Sequence, residues 1–318
     1  MAILEYGTLH AKLLLAGEYS ILMGGEAIAL PLRDFYVHFG FHNDALDVET
    51  ARDSNQQLRG FCNFLANEQR ISRIIDLDSF ESDLRDGLYL LSNVPAGYGL
   101  GSSGLVCAAV YKTYARERKV RSDKEIDFVS LRSDFSKMEA YFHGKSSGID
   151  PVASFLGKPL HICNSEIVVV PQPTFAEGKW FFLDSGINRK TGDLVNKFLA
   201  HIANHLYRQE LEIQYIPIVN EFIGRLLHSN SAILADYATT RPMHILMEAI
   251  SNLQLRYFQQ MIPAQLLPFW QQGLDTGLFY LKLLGAGGGG YFLGFTHSPE
   301  ETQSMSSAYG FKIKMLEL

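Results

Sequence analysis

The stretch Asn93-Val-Pro-Ala-Gly-Tyr-Gly-Leu-Gly-Ser-Ser-Gly104 decides how the rest of the chain is read. The apolar run at 88–91 precedes it and reads as a short strand. A helical pattern follows, with Leu105, Val106, Ala109, Val110 and Tyr114 on one side. Glycines therefore lie between a strand and a helix start, with the hydroxyls of Ser102 and Ser103 at the entry. Gly97, Gly99 and Gly101 let the backbone turn tightly and approach a ligand. Free N–H groups and the dipole at a helix N-terminus favour an anion, so the loop reads as a phosphate cradle. A Gly-rich turn closed by a Ser N-cap is the alternative reading.

Two better-known phosphate loops are excluded by spelling. Gly144-Lys145-Ser146 supplies the last three letters of a P-loop, but Glu139 stands where its first glycine belongs. In the 97–104 loop Ser102 replaces the third glycine of a dinucleotide fingerprint. The run 285–290 fits that spelling, yet the residues after it, 291–295, read as a strand where a helix is required.

Composition narrows the class. A chain of 318 residues, 47% of them hydrophobic, can fill about two domains. A formal net charge of -6 without a basic stripe argues against a nucleic-acid partner. Cys62, Cys107 and Cys163 are far apart and form no C-x-x-C, so they read as small buried hydrophobes of a reducing compartment. There is no signal-peptide pattern and no apolar run near the ~20 residues of a membrane span. The expectation is a soluble cytoplasmic protein.

Along the chain, 3–6 and 8–15 read as strands, with Lys12 inside the second; a lysine there reads as an edge or a solvated face. Residues 27–32 and 35–41 read as further strands, 43–55 as a polar connecting loop, and 57–69 as a helix burying Leu58, Phe61, Phe64 and Leu65. A helical spacing covers 122–143 and stops at Gly144, with Glu139 beside its apolar stripe. Read alone, Glu139 is either a functional carboxylate or a solvated one. Pro151 disfavours helical geometry at Asp150, which places that carboxylate at a chain reversal before a helix starting near Pro151. Read alone, Asp150 is a turn residue or cap. Strands are expected at 167–170 and 180–183, with a domain boundary near 175 that divides the chain into 1–175 and 176–318.

The second half opens with a polar turn at 184–192, then helical patterns over 193–228, 242–260 and 263–273. His201 and His205 are four apart and would share a helix face, but Ile202 stands where a zincin needs Glu. Strands at 278–284, 291–295 and 311–316 and a helix at 299–308 complete an α+β second domain.

Three motifs now stand in order: His10-Ala-Lys-Leu-Leu-Leu-Ala-Gly-Glu-Tyr19, Pro95-Ala-Gly-Tyr-Gly-Leu-Gly-Ser-Ser-Gly104 and Lys282-Leu-Leu-Gly-Ala-Gly-Gly-Gly-Gly290. Together they resemble the signature motifs of the GHMP kinases, the family of galactokinase, homoserine kinase, mevalonate kinase and phosphomevalonate kinase. Within it, Glu139 and His143-Gly-Lys-Ser-Ser-Gly-Ile-Asp150 look most like the mevalonate kinases, whose H-G-x-P-S-G-[IV]-D carries the catalytic Asp. The chain departs from that group's pattern in four places. His10-Ala-Lys12 replaces P-G-K, Tyr19 replaces the His of G-E-H, Ser146 replaces Pro, and Gly104 stands where Ala is common.

The resemblance implies an α+β fold: an N-terminal domain of the ribosomal-protein-S5 domain 2 type and a ferredoxin-like C-terminal domain, with ATP and the acceptor between them. It also implies roles. The loop with Gly97, Gly99, Leu100, Gly101, Ser102 and Ser103 would hold the ATP phosphates. Ser103 and Glu139 would supply oxygens to Mg²⁺, which takes one or two protein ligands and keeps several waters. Asp150 would accept the alcohol proton, with Lys12 beside it stabilising charge on the transferred group. Glu18, Tyr19, Thr191, Gly287 and Gly288 would lie on the acceptor side; the alternative readings are a turn hydroxyl at Thr191 and a glycine hairpin at 285–290. The function implied is phosphorylation of mevalonate by ATP in isoprenoid biosynthesis, by a monomer or homodimer. The alternatives are a GHMP kinase for phosphomevalonate or a sugar, and a non-catalytic GHMP-fold small-molecule binder.

Overall fold

Strand β1 (Leu9–Ala16) buries Leu9, Ala11, Leu13 and Leu15 on the period-2 pattern of its sequence, and Lys12 is buried among them. Strand β2 (Ala27–Phe41) is a single strand of 15 residues. The sequence reads as two strands broken at Arg33 and Asp34. These residues are exposed within a continuous strand, so their polarity marks a solvent face and not a break. The computed structural model describes residues 7–42, 45, 47–95, 97–116, 126–175, 177–188, 191–228 and 241–317. The strand expected at 3–6 and the first residues of the helix expected from 122 lie outside them.

Two compact units divide the chain. The first takes the chain up to Lys12, Pro31–Pro95 and Leu100–Lys158; the second takes Leu13–Leu30, Ala96–Gly99 and Pro159–Leu318.

In the first unit the C-terminal part of β2 pairs antiparallel with β3 (Leu88–Ser92), Val37 opposite Ser92 and Phe41 opposite Leu88. Helices α1 (Val48–Asn67), α2 (Ile71–Ile74), α3 (Leu77–Arg85), α4 (Ser102–Tyr114), α5 (Phe128–His143) and α6 (Ile149–Leu156) complete this unit, with α1 and α3 packing on β3. The polar stretch expected to be a loop at 43–55 is helical from Val48. Asp47 caps α1 by accepting from the N–H groups of Glu49 and Thr50, each at 3.1 Å. The first turns of α1 are polar because they face solvent. The exceptions are buried Ala51 and Asn55, and the Asn55 amide donates to the carbonyls of Leu84 and Leu88. Helix α4 is apolar nearly all round and forms the core of this unit, packing on α5 and α6. Its Tyr111 ring meets Phe135 and Phe155 at 4.9 and 5.4 Å between centroids.

In the second unit β4 (Leu160–Cys163) and β5 (Glu166–Val169) form a hairpin, and β4 pairs with the start of β2, Ala27 opposite Ile162. The hairpin turns at Asn164 and Ser165, both with positive φ (50° and 66°), as a two-residue turn of the primed type requires. The remaining strands are β6 (Lys179–Asp184), β7 (Phe279–Lys282), β8 (Tyr291–Thr296) and β9 (Lys312–Leu316). They form an antiparallel sheet in the order β7-β8-β6-β9. Helices separate β6 from β7, and α12 (Pro299–Ala308) separates β8 from β9, giving the β-α-β-β-α-β succession of a ferredoxin-like unit. The region expected as one long helical pattern over 193–228 is divided. It contains α7 (Thr191–His201), α8 (His205–Glu210), a π-helical turn at Leu211–Tyr215 and α9 (Ile216–His228). Asn204 caps α8, accepting from the N–H groups of Leu206 and Tyr207. His201 and His205 therefore belong to different helices and do not share a face. Helices α10 (Met243–Tyr257) and α11 (Leu267–Thr276) pack on β7.

Cys62 and Cys107 are buried, Cys163 is half-buried, and all three are free thiols. Among the described residues no helix is long and apolar enough to cross a membrane.

Candidate active site

Helix α4 begins with Gly101 in the left-handed conformation (φ 73°), which places Ser102 and Ser103 in its first turn. Gly97 and Gly99 also have positive φ (79° and 87°), so the loop alternates its backbone direction as an anion-binding concavity requires. Helix α6 begins at Ile149, one residue earlier than Asp150 and two before Pro151. Asp150 is therefore in the first helical turn, not at a reversal ahead of it. Proline is tolerated there because first-turn N–H groups have no intrahelical acceptor. Gly148 (φ 71°) precedes the helix.

Close backbone contact brings the two helix starts together. A Cβ at Gly104 would lie 2.9 Å from the Pro151 nitrogen and 3.2 Å from the Asp150 Cβ, so only glycine allows α4 this near α6. The Asp150 carboxylate then pairs with Lys12 of β1, Nζ to Oδ1 2.9 Å. Lys12 is 4% exposed, so this lysine is not the edge lysine that its strand suggests. Gly101 lies against the pair: a Cβ there would be 3.1 Å from Lys12 Cε and 3.4 Å from Asp150 Oδ2.

Two residues after Gly101, in the first turn of α4, Ser103 Oγ donates to Glu139 Oε1 at 2.8 Å. Glu139 is 4% exposed, not a solvated carboxylate of α5. Burial, reinforced by the nearby Asp150 charge, pushes its pKa up to about 7; hydroxyls of Ser146 and Ser103, and then Lys12, act in the opposite direction. Two further groups complete this cluster without a signal in local pattern. His143 Nε2 lies 2.9 Å from Ser103 Oγ, and Ser146 Oγ donates to Glu139 Oε2. Among the described residues no group of three or more His, Cys, Asp and Glu side chains could hold a metal ion, His201 and His205 included.

The other expected residues lie in the second unit. Glu18 pairs with Lys282 Nζ at 2.6 Å, both side chains 1% exposed, and Lys282 also donates to the Leu283 carbonyl. Gln254 extends this network, accepting from the Leu283 N–H at 2.6 Å and donating to Tyr215 OH at 2.8 Å. Tyr19 has a positive φ of 62°, rare for an aromatic residue. Its ring stacks on Phe258 and its hydroxyl donates to the Ala286 carbonyl at 2.6 Å, in the third glycine motif. Gly287 and Gly288 follow, with the Gly288 N–H donating to the Met261 carbonyl at 2.6 Å. Gly290 packs on the backbone of Tyr98, and the Tyr291 N–H donates to the Tyr98 carbonyl, so the 285–290 turn supports the middle of the 97–99 loop. Thr191 opens α7; its side chain lies outside the described residues. Lys282 and Gln254 escape a sequence reading, although a lysine in a wholly buried four-residue strand requires a buried acid.

Comparison with known proteins finds similarity in sequence and in fold. Residues 69–158 match the model of the GHMP kinases N terminal domain. A mevalonate kinase of Pyrococcus abyssi is 25% identical over 299 residues, covering 88% of this chain and 85% of that protein. Two solved structures share the fold. An L. major mevalonate kinase in complex with R-mevalonate aligns with a TM-score of 0.60 at 17% identity, over 95% of this chain and 90% of that one. A Streptococcus pneumoniae phosphomevalonate kinase in complex with phosphomevalonate and AMPPNP aligns with a TM-score of 0.59 at 16% identity, over 98% and 99%. Residues 69–158 thus match a GHMP kinases N terminal domain, and the chain as a whole is similar in sequence to mevalonate kinases and shares the fold of these solved structures.

Proposed function

We propose that the chain transfers the γ-phosphoryl group of ATP to the hydroxyl of mevalonate, forming 5-phosphomevalonate and ADP in isoprenoid biosynthesis. The observation that carries this reading is the Lys12–Asp150 pair at 2.9 Å, against Gly101 at the start of α4. A phosphoryl transfer needs phosphates held, charge neutralised and the acceptor oxygen aligned. The loop residues Gly97, Gly99, Leu100, Gly101, Ser102 and Ser103 are the proposed phosphate cradle. Asp150 accepts the acceptor's proton as the O–P bond forms, and Lys12 balances charge on the transferred group. Glu18, Tyr19, Thr191, Gly287 and Gly288 are the proposed acceptor-side residues. Of these, Glu18 and Tyr19 act through the buried bonds that hold Lys282 and Ala286.

Ser103 and Glu139 are the residues that would hold Mg²⁺. A buried carboxylate whose hydrogen-bond donors are hydroxyls carries a desolvation cost that a cation would offset. One carboxylate and one hydroxyl also suit an ion that keeps several waters and binds the phosphates. When bound, the ion would neutralise charge on the β- and γ-phosphates.

Tyr19, in place of the usual His, favours a second reading in which the acceptor is phosphomevalonate or a sugar. An ADP-release screen with Mg·ATP and mevalonate, phosphomevalonate or a sugar panel separates these. Turnover of mevalonate is expected. Turnover of a sugar, with mevalonate at background, would reject the acceptor and leave the kinase assignment standing.

A further inference from the structure

Ser146 brings a hydroxyl to a position where mevalonate kinases usually carry proline, which has none. Its Oγ donates to Glu139 Oε2 and accepts the Gly148 N–H at 3.0 Å. Its carbonyl accepts Ser136 Oγ at 2.7 Å, which ties the 144–148 turn back to α5. On the other carboxylate oxygen, Oε1 accepts Ser103 Oγ at 2.8 Å, and Ser103 Oγ lies 2.9 Å from His143 Nε2.

Counting protons orders this chain. A hydroxyl carries one proton. With Glu139 ionised, as a cation's ligand would be, Ser103 gives its proton to Glu139, so it can only accept from His143, and His143 Nε2 carries the N–H. Ser146 likewise gives its proton to Glu139 and takes a hydrogen bond from Gly148. Both ends therefore donate inward, and each bond polarises the next. The Glu139 carboxylate is pinned through both oxygens, which fixes its plane. Ser103 Oγ is turned so that one lone pair remains after the bonds to His143 and Glu139 are made.

We infer that Ser146 and His143 are positioning residues that preset Ser103 and Glu139 for a divalent cation, an inference that rests on the reading of those two as the cation's ligands. Ser146 supplies the second donor to Glu139 that a proline could not. Partners that orient metal-binding oxygens typically alter affinity by about 10–100-fold when removed.

The test is Mn²⁺ binding to the full chain with ADP, followed by electron paramagnetic resonance, which requires no acceptor and no turnover. Ser146→Ala should weaken Mn²⁺ binding by about tenfold. Ser146→Thr, which restores the hydroxyl, should bind within about twofold of wild type. His143→Leu, which removes the donor at the other end, should weaken binding by a similar factor and guards against misfolding of the Ala variant. Near-wild-type affinity in folded Ser146→Ala or in His143→Leu overturns the inference alone. A wild-type protein that binds no Mn²⁺ with ADP overturns both the inference and the assignment of Ser103 and Glu139 to the cation.

Discussion

Gly104→Ala is a small change with a large expected effect. The added Cβ would lie 2.9 Å from the Pro151 nitrogen, 3.0 Å from the Asp150 carbonyl carbon and 3.2 Å from the Asp150 Cβ. Ordinary contact begins at 3.4 Å, so relief requires a separation of about 0.5 Å (3.4 minus 2.9) between α4 and α6. The two nearest atoms are backbone, so no rotamer change can relieve those contacts. Overpacking of this kind costs about 1–3 kcal/mol, and alanine's better helix propensity returns about 1 kcal/mol. The net loss of stability is then roughly 0–2 kcal/mol. Activity should suffer more, because Asp150 moves with the displaced backbone while Lys12 stays on β1. A misplacement of about 1 Å can cost about 10²-fold, and half that distance about tenfold. The assay is kcat at saturating Mg·ATP and acceptor, with thermal unfolding measured alongside. Mevalonate kinases commonly carry alanine at this position, so wild-type kcat with unchanged or raised stability would show that α4 and α6 adjust freely. Asp150 would then owe its position to something other than this contact.

Other outcomes follow from the same geometry. Glu139 has a pKa raised from 4.5 to about 7. Its contribution to the stability of the metal-free protein is fully present below about pH 4.5 and is lost as pH rises through about 7. Measured in EDTA, wild type should therefore lose stability relative to Glu139→Gln between pH 5 and 8, and a flat or rising difference would contradict the burial argument. Lys282→Met leaves Glu18 buried without its partner and should lower unfolding stability by about 3–5 kcal/mol in urea titrations, with partial recovery in the Glu18→Gln/Lys282→Met double variant. A single variant within about 1 kcal/mol of wild type would refute this. Lys12→Met and Asp150→Asn should be non-additive in kcat, the double variant little worse than the poorer single one. Simple multiplication of the two losses would assign Lys12 to phosphate alone.

Local features of this chain are legible in its sequence because they depend on backbone stereochemistry and periodicity. The glycines at 97, 99 and 101 occupy positive φ, and the apolar pattern after them is a buried helix. The helix at Pro299–Ala308 and the strand at Tyr291–Thr296 follow their expected spans closely. The errors arise where polarity was taken for loop: the start of α1 faces solvent, and Arg33 and Asp34 sit mid-strand. The β4 strand is four residues long, too short to declare a period. The candidate site is legible only in part because its contacts are distant in sequence. Ser103 and Glu139 are 36 residues apart, and Lys12 meets Asp150 across most of the first unit. No local pattern reports such a pairing: read alone, Lys12 suggests an edge lysine and Glu139 leaves a solvated carboxylate open, and only the resemblance to a family placed Lys12 beside Asp150 and Ser103 with Glu139. The hydroxyl of Ser146 gave no sign beyond its departure from proline, since its meaning depends on which carboxylate oxygen it reaches.

The central claim is that Asp150, held by Lys12, takes the proton of the acceptor alcohol. The most direct test is the kcat of Asp150→Asn with Mg·ATP and mevalonate, compared with wild type by ADP release. Asparagine keeps the size and removes the base. Wild type is expected to turn over mevalonate, and Asp150→Asn to lose about 10²–10⁴-fold in kcat while ATP binding changes little. A folded Asp150→Asn protein with near-wild-type kcat would contradict it.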